Sequence, residues 1–106
     1  MTLNEVRKIG HKDAESVSFG YLGLAYNSLS DFKKAIECYQ LALKIEKDTE
    51  NKDGEAAIYN NLGLAYDSLS EFKKAIEFYQ LALKIAKDTG NKDQEGTVYN
   101  LSLIHI

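Results

Sequence analysis

The chain contains a stretch of forty residues that occurs twice in direct succession. Residues 61–100 repeat residues 21–60 with thirty of the forty positions identical. A fixed period of about twenty to fifty residues is typical of repeat proteins, in which one supersecondary unit packs against copies of itself. The chain must therefore fold as a stack of similar units. Its length of 106 residues is that of a short segment of a longer repeat array.

Composition and charge exclude several classes of partner. Hydrophobic residues make up 44% of the chain and charged residues 27%, as in globular proteins. The net charge is −3 with acids and bases interspersed, so the chain lacks the basic face that nucleic acid requires, and we expect no nucleic-acid partner. No apolar run is long enough to span a bilayer, so we expect no membrane association. The single cysteine, Cys38, is typical of a reducing compartment, which predicts a cytoplasmic location.

Each repeat unit is predicted to form two helices. The chain has no proline, and apolar residues between positions 72 and 86 recur at the 3.6-residue spacing of a helix. A linker of about three residues makes the paired helices antiparallel neighbours. Asn51 is expected to cap the third helix, and Ser30 and Ser70 the second and fourth. The helices are predicted at about residues 12–28, 31–47, 52–68 and 71–87.

The repeat register also divides the chain into segments. Residues 12–50 and 51–90 are full repeats, and residues 91–100 begin a third. We expect residues 1–11 to be the end of a preceding helix and a loop, because Gly10-His11-Lys12-Asp13 aligns with Gly90-Asn91-Lys92-Asp93.

Residues 101–106 depart from the repeat pattern. Leu103 stands where the repeat has glycine, and Ser102 replaces a leucine that should be buried. The six residues also match the translation of a common transposon-type sequencing adapter. We therefore expect this tail to be an artefact and the natural protein to continue with further repeats.

Gly23 and Gly63 occupy equivalent positions inside predicted helices. Glycine costs about 1 kcal/mol in a helix relative to alanine, so its use there needs a reason. We interpret both as points of close helix approach, with the small residues Ala35 and Ala75 facing them. The alternative is inheritance through recent duplication.

Seven positions of each copy resemble the signature of the tetratricopeptide repeat. They are Tyr59, Leu62, Gly63, Tyr66, Ala75, Tyr79 and Ala82 in the second copy, and Phe19, Leu22, Gly23, Tyr26, Ala35, Tyr39 and Ala42 in the first. The pattern departs from the family in having Lys87 where proline is usual and a period of forty residues instead of about 34. This longer subclass is similar to the repeats of kinesin light chains and of G-protein-linked polarity scaffolds.

The resemblance implies an all-α fold and an interaction function. The expected architecture is a right-handed α-solenoid of stacked antiparallel helical hairpins, here a fragment of a longer array. Its concave face binds a peptide or a segment of a protein partner, and the repeats carry no catalysis. Two other functions stay open: a sensor or regulatory repeat region of a larger multidomain enzyme or NTPase switch, and a structural spacer or self-associating stack.

The first helix of each unit has two apolar stripes, which in the second copy are Tyr59, Leu62, Gly63 and Tyr66, and Ile58, Leu62, Ala65 and Leu69. The face of this helix that the two stripes leave uncovered is the candidate peptide groove. Asn61 can hydrogen-bond an extended peptide backbone, and Leu64, Leu24 and Tyr21 offer apolar contact. The alternative is a merely solvated helix face. The candidate residues are Val17, Tyr21, Leu24, Asn27, Ala57, Asn60, Asn61, Leu64, Asp67, Thr97 and Asn100.

The sequence predicts no chemistry of its own. None of the candidate groove residues is basic, so a lysine or arginine clamp for a C-terminal carboxylate is not expected. His11 and His105 have no second ligand at metal spacing, and no phosphate loop or catalytic set is present. We therefore expect no enzyme activity, no cofactor and no metal. We also expect weak self-association through the exposed solenoid ends, where the flank formed by Phe78, Leu81 and Ile85 has little to cover it.

Overall fold

The computed structural model describes residues 2–90, and this part of the chain is built from four helices. Helix α1 spans Leu3–Ser28, α2 Phe32–Asp48, α3 Lys52–Ser68 and α4 Phe72–Thr89. Each helix packs against the next along the chain, so that α1–α2 and α3–α4 form hairpins and α2 packs on α3 between them. The all-α stack of helical hairpins is confirmed. The predicted start of a third repeat at residues 91–100 and the tail at 101–106 lie outside the described residues.

The three turns between helices have the same backbone geometry. At the first, the Asp31 N–H donates to the Tyr26 carbonyl and the Ser30 N–H to the Asn27 carbonyl, a Schellman motif. The αL position is occupied by a non-glycine residue each time: Ser30 at φ 62°, Glu50 at φ 57° and Ser70 at φ 62°. The prediction that Ser30 and Ser70 cap the following helices is therefore wrong.

The N-caps lie one residue later than predicted in two of the three turns. Asp31 caps α2 by accepting the Lys34 N–H at 3.3 Å, and Glu71 occupies the same position before α4 without a side-chain bond. The serines cannot cap because they complete the Schellman turn. Asn51 caps α3 as predicted, accepting the Gly54 N–H at 3.1 Å.

The loop predicted at the end of residues 1–11 is not formed, because α1 runs without interruption from Leu3 to Ser28. The later turn, by contrast, has Thr49, whose hydroxyl bonds the Ile45 carbonyl at 2.9 Å, and the capping residue Asn51. The equivalent positions hold Ile9 and His11, which supply neither bond. The helix instead begins at a capping box between Thr2 and Glu5.

The core of each hairpin is organised around a tyrosine. Tyr39 and Tyr79 are 1% and 0% exposed, and a Cβ added to Gly63 would lie 2.9 Å from Tyr79 Cζ. Gly23 stands in the same relation to Tyr39, with a distance of 3.0 Å to Cζ. The prediction of close approach is confirmed. The atoms nearest to each added Cβ belong to the tyrosine rings and not to the predicted partners Ala35 and Ala75.

A buried polar group lies at the junction between the two hairpins. Glu46 of α2 is 7% exposed and accepts a hydrogen bond through Oε1 from the hydroxyl of Ser16 in α1, which is 3% exposed. The same carboxylate faces α3 at Gly54, where a Cβ would lie 2.6 Å from Glu46 Cδ. In the second repeat these two polar positions hold Ala56 and Ala86, both fully buried. Both polar residues of the first repeat are thus replaced by alanine in the second.

Candidate functional site

The candidate groove residues lie on one surface, which α1 and α3 form together. Val17, Tyr21, Leu24, Ala57 and Leu64 are exposed, and Asn27, Asn60, Asn61 and Asp67 are half-buried. They are surface residues because the cores of the hairpins form on the opposite sides of these helices, against α2 and α4. Thr97 and Asn100 lie outside the described residues.

The structure brings four of these candidate residues, together with Gly20, around a shallow concavity of about 160 Å³. Its lining consists of Val17, Gly20, Tyr21 and Leu24 from α1 and Asn61 from α3. The three larger apolar side chains are strongly exposed: Val17 at 55%, Tyr21 at 69% and Leu24 at 44%. Gly20 is the equivalent of Asn60 on the same helix face, although it is not one of the candidate residues. Its lack of a side chain, with nothing within 4 Å of an added Cβ, leaves space beside Tyr21.

The candidate surface also carries polar groups. The Oδ1 atoms of Asn27 and Asn60 are buried and have no hydrogen-bond partner among the described residues. Burial, and secondarily the nearby charge of Asp67, raises the pKa of Tyr79 to about 12. Asp67 is the one charged residue among the candidate groove positions that the structure describes. The surface therefore combines exposed apolar groups with amides and has a slightly acidic edge.

A family model described as tetratricopeptide repeat matches residues 13–88 of the chain. That match covers most of the chain and both hairpins. The chain belongs to the tetratricopeptide repeat family. No curated protein matches it. Tetratricopeptide repeats are non-catalytic scaffolds that mediate protein–protein interaction, and this general role follows from membership.

The tetratricopeptide hairpins also have a larger groove that sequence reasoning missed. It has a volume of about 510 Å³ and lies between the amino-terminal part of α1 and the α2–α3 turn. Its lining residues are Lys8, Ile9, Lys12, Asp48, Thr49 and Glu50. No signal in the sequence pointed to it, because residues 10–13 were expected to form a loop and not to continue α1.

The described part of the chain has few side chains that could bind a metal ion or act as a nucleophile. Within residues 2–90, no three His, Cys, Asp or Glu side chains are placed to hold a metal ion. Cys38 is half-buried, and burial, followed by the charge of Glu37, raises the pKa of its thiol. A raised pKa keeps the thiol protonated and weakly nucleophilic. Among residues 2–90, no helix is long and apolar enough to cross a membrane.

Proposed function

We propose that these tetratricopeptide repeats bind an extended segment of a partner protein along the surface formed by α1 and α3. The observation that carries the proposal is the concavity between the two helices, where exposed apolar side chains of α1 meet the amide of Asn61 in α3. Exposed apolar groups beside hydrogen-bonding amides are the combination that an extended peptide requires. The chain has no catalytic role in this proposal, and the single cysteine favours a cytoplasmic setting.

The chemistry of the surface limits the kind of segment that it would bind. Tyr21, Val17 and Leu24 provide contact for one apolar side chain of the ligand, and Asn61 can both donate to and accept from the ligand backbone. The acidic edge at Asp67 and the absence of basic candidate residues in α1 and α3 disfavour a free carboxylate. The proposed ligand is therefore a neutral or basic segment with an apolar anchor residue.

A peptide display library tests this proposal even while the partner protein is unidentified. Peptides selected on the full chain are resynthesised, and their dissociation constants are measured by isothermal titration with the wild type, Tyr21→Ala, Asn61→Ala and Leu64→Asp. We expect each variant to weaken binding by about tenfold, since the loss of one buried contact or hydrogen bond costs roughly 1–2 kcal/mol. Selected peptides should carry an aromatic or aliphatic anchor and no excess of acids.

Leu41→Asp is the matched control, because Leu41 on α2 is 49% exposed and lies away from the candidate surface. It should bind selected peptides with wild-type affinity. Circular dichroism checks that all four variants retain wild-type helicity. Equal affinity of the wild type and the three groove variants would refute the proposed surface, as would an equal loss in Leu41→Asp.

A further inference from the structure

Gly20 lies inside α1, and the packing of residues 2–90 gives no reason for a glycine at that position. Glycine destabilises a helix interior relative to alanine, so it is expected where a side chain would collide with a neighbour. At Gly23 and Gly63 a tyrosine ring excludes a Cβ, and at Gly54 the carboxylate of Glu46 does so. A Cβ at Gly20 would have nothing within 4 Å. Its backbone is therefore open to a group from outside the chain.

Gly10 has equally open surroundings, but the repeat register accounts for it. It aligns with Glu50 in the turn after α2 and with Gly90 at the end of α4. These two residues have φ values of 57° and 73°, a conformation that favours glycine. Gly20 aligns instead with Asn60, which lies within α3. The glycine at position 20 is thus unrelated to a turn.

The open backbone of Gly20 forms part of the concavity between α1 and α3. The concavity of about 160 Å³ is several times larger than the roughly 30 Å³ that one water molecule takes up in the liquid. It therefore has room for one side chain of a ligand and not for a helix. The equivalent position in α3 is filled, because Asn60 is half-buried and its Oδ1 atom is inaccessible to solvent.

We propose that Gly20 makes this concavity selective for an aromatic side chain of the partner segment. The inference rests on the binding surface proposed above and adds the class of anchor residue that it accepts. The chain itself packs an aromatic ring on a helical glycine twice, with Tyr39 against Gly23 and Tyr79 against Gly63. A ligand ring on Gly20 would repeat this contact on the surface.

The neighbours of Gly20 favour a ring over an aliphatic side chain. Tyr21 is 69% exposed and lines the same concavity, so its ring is available for an aromatic pair, which gains affinity beyond the apolar area that it buries. Val17 and Leu24 offer apolar contact to either kind of anchor. A leucine in the ligand would keep these contacts and lose the pairing with Tyr21.

Matched peptides test this selectivity by isothermal titration with the full chain. A peptide selected by display is synthesised with phenylalanine, leucine or alanine at its anchor position. The wild type should bind the phenylalanine peptide about three- to tenfold more tightly than the leucine peptide. Gly20→Asn introduces the residue of the second repeat into the concavity. It should weaken the phenylalanine peptide about tenfold and leave the affinity of the alanine peptide unchanged.

Gly10→Asn is the matched control, because it also replaces a helical glycine with open surroundings and lies away from the concavity. It should bind all three peptides as the wild type does. Asparagine has a higher helix propensity than glycine, so both variants should fold, and circular dichroism checks their helicity.

The outcomes separate this inference from the proposed function. If Tyr21→Ala and Asn61→Ala bind every selected peptide with wild-type affinity, the binding surface is refuted and the selectivity with it. If those variants weaken binding but Gly20→Asn changes the three peptides equally, the surface stands and the role of Gly20 is refuted. Selected peptides without a shared aromatic position, or a leucine peptide that binds as tightly as the phenylalanine peptide, would also overturn it.

Discussion

At the scale of single residues, the packing of each hairpin depends on a glycine beneath a tyrosine ring. Gly63 has no side chain, and this allows the ring of Tyr79 to lie directly against the backbone of α3. Tyr79 is fully buried, so moving its ring would disturb the core that surrounds it. The conformational cost of a helical glycine is therefore offset by close packing of a large aromatic group.

Replacing Gly63 with alanine should therefore destabilise the protein even though alanine favours helices. We expect the free energy of unfolding to fall by about 1–3 kcal/mol, the usual cost of forcing extra atoms into a packed core. Gly20→Ala is the control, since nothing lies within 4 Å of its added Cβ, and it should raise stability by about 0.5–1 kcal/mol. Urea denaturation measures both. A stabilised Gly63→Ala variant would show that the ring adjusts freely.

Tyr79 should also make stability depend on pH in the alkaline range. Its folded-state pKa of about 12 exceeds the value of about 10 in an unfolded chain, so the folded state holds the phenol proton more tightly. The stabilisation from this group is complete below about pH 10 and is lost as pH rises through about 12. In Tyr79→Phe this loss should be absent.

Urea denaturation at several alkaline pH values tests this prediction. The stability of the wild type relative to Tyr79→Phe should decrease between about pH 10 and 12, by on the order of 1 kcal/mol per pH unit. Parallel curves for the wild type and Tyr79→Phe would contradict the prediction.

At the scale of elements, the ends of the helices determine how the chain is divided. The α2–α3 turn forms where Thr49 and Asn51 satisfy backbone groups, and the same register position in α1 lacks both. The result is a helix of 26 residues, whose first nine, Leu3 to His11, are exposed. An exposed helical extension depends on its cap and intrinsic propensity, because it gains little from packing.

Removing the N-cap should consequently have different effects on α1 and α3. Thr2→Ala deletes the capping box and should fray residues 3–11 without changing the global free energy of unfolding. Asn51→Ala deletes the α3 cap and should lower global stability by about 1 kcal/mol, because α3 packs on both neighbours. Carbon-13 secondary chemical shifts measure the fraying of residues 3–11, and urea denaturation measures the global free energy of unfolding. Equal global losses in both variants would show that the extension is part of the cooperative core.

At the scale of the whole molecule, the chain is an elongated stack. Its dimensions are 49 × 32 × 17 Å with a radius of gyration of 14.2 Å, compared with about 12–13 Å for a compact domain of this length. The two hairpins meet mainly through α2 and α3, so their relative position depends largely on that junction. The buried Ser16–Glu46 pair lies there and makes the junction chemically different from one built on Ala56 and Ala86.

The two residues of this pair should contribute to stability as a unit. Ser16→Ala leaves the buried Glu46 carboxylate without its donor and should cost about 1–3 kcal/mol. Adding Glu46→Ala, which copies the alanines of the second repeat, should restore part of that loss, since no buried charge remains. A double-mutant cycle by urea denaturation measures the coupling. Additive losses would show that the two side chains act independently.

Much of the architecture followed from the sequence, because hydrophobic periodicity and a near-identical repeat are local properties that the residues display directly. They were enough to predict four helices, antiparallel hairpins, close approach at Gly23 and Gly63, and the resemblance to tetratricopeptide repeats. The groove positions were found from helical periodicity, by subtracting the two apolar stripes, and the resemblance to the family implied that this face lines a groove. Their role in binding stays a prediction.

Only the tertiary structure decided which residues from distant parts of the chain lie against each other. It also decided which of two competing groups occupies a given place in the fold. The sequence could not show that Tyr79 and not Ala75 covers Gly63, because that depends on where a ring from another helix points. It could not show that α1 continues through Gly10, since a repeat register does not reveal that the capping bonds are missing. Identical side chains such as Ile36 and Ile76 differ in burial because burial depends on which helix packs beside a residue, and that is decided by the position of each repeat in the stack.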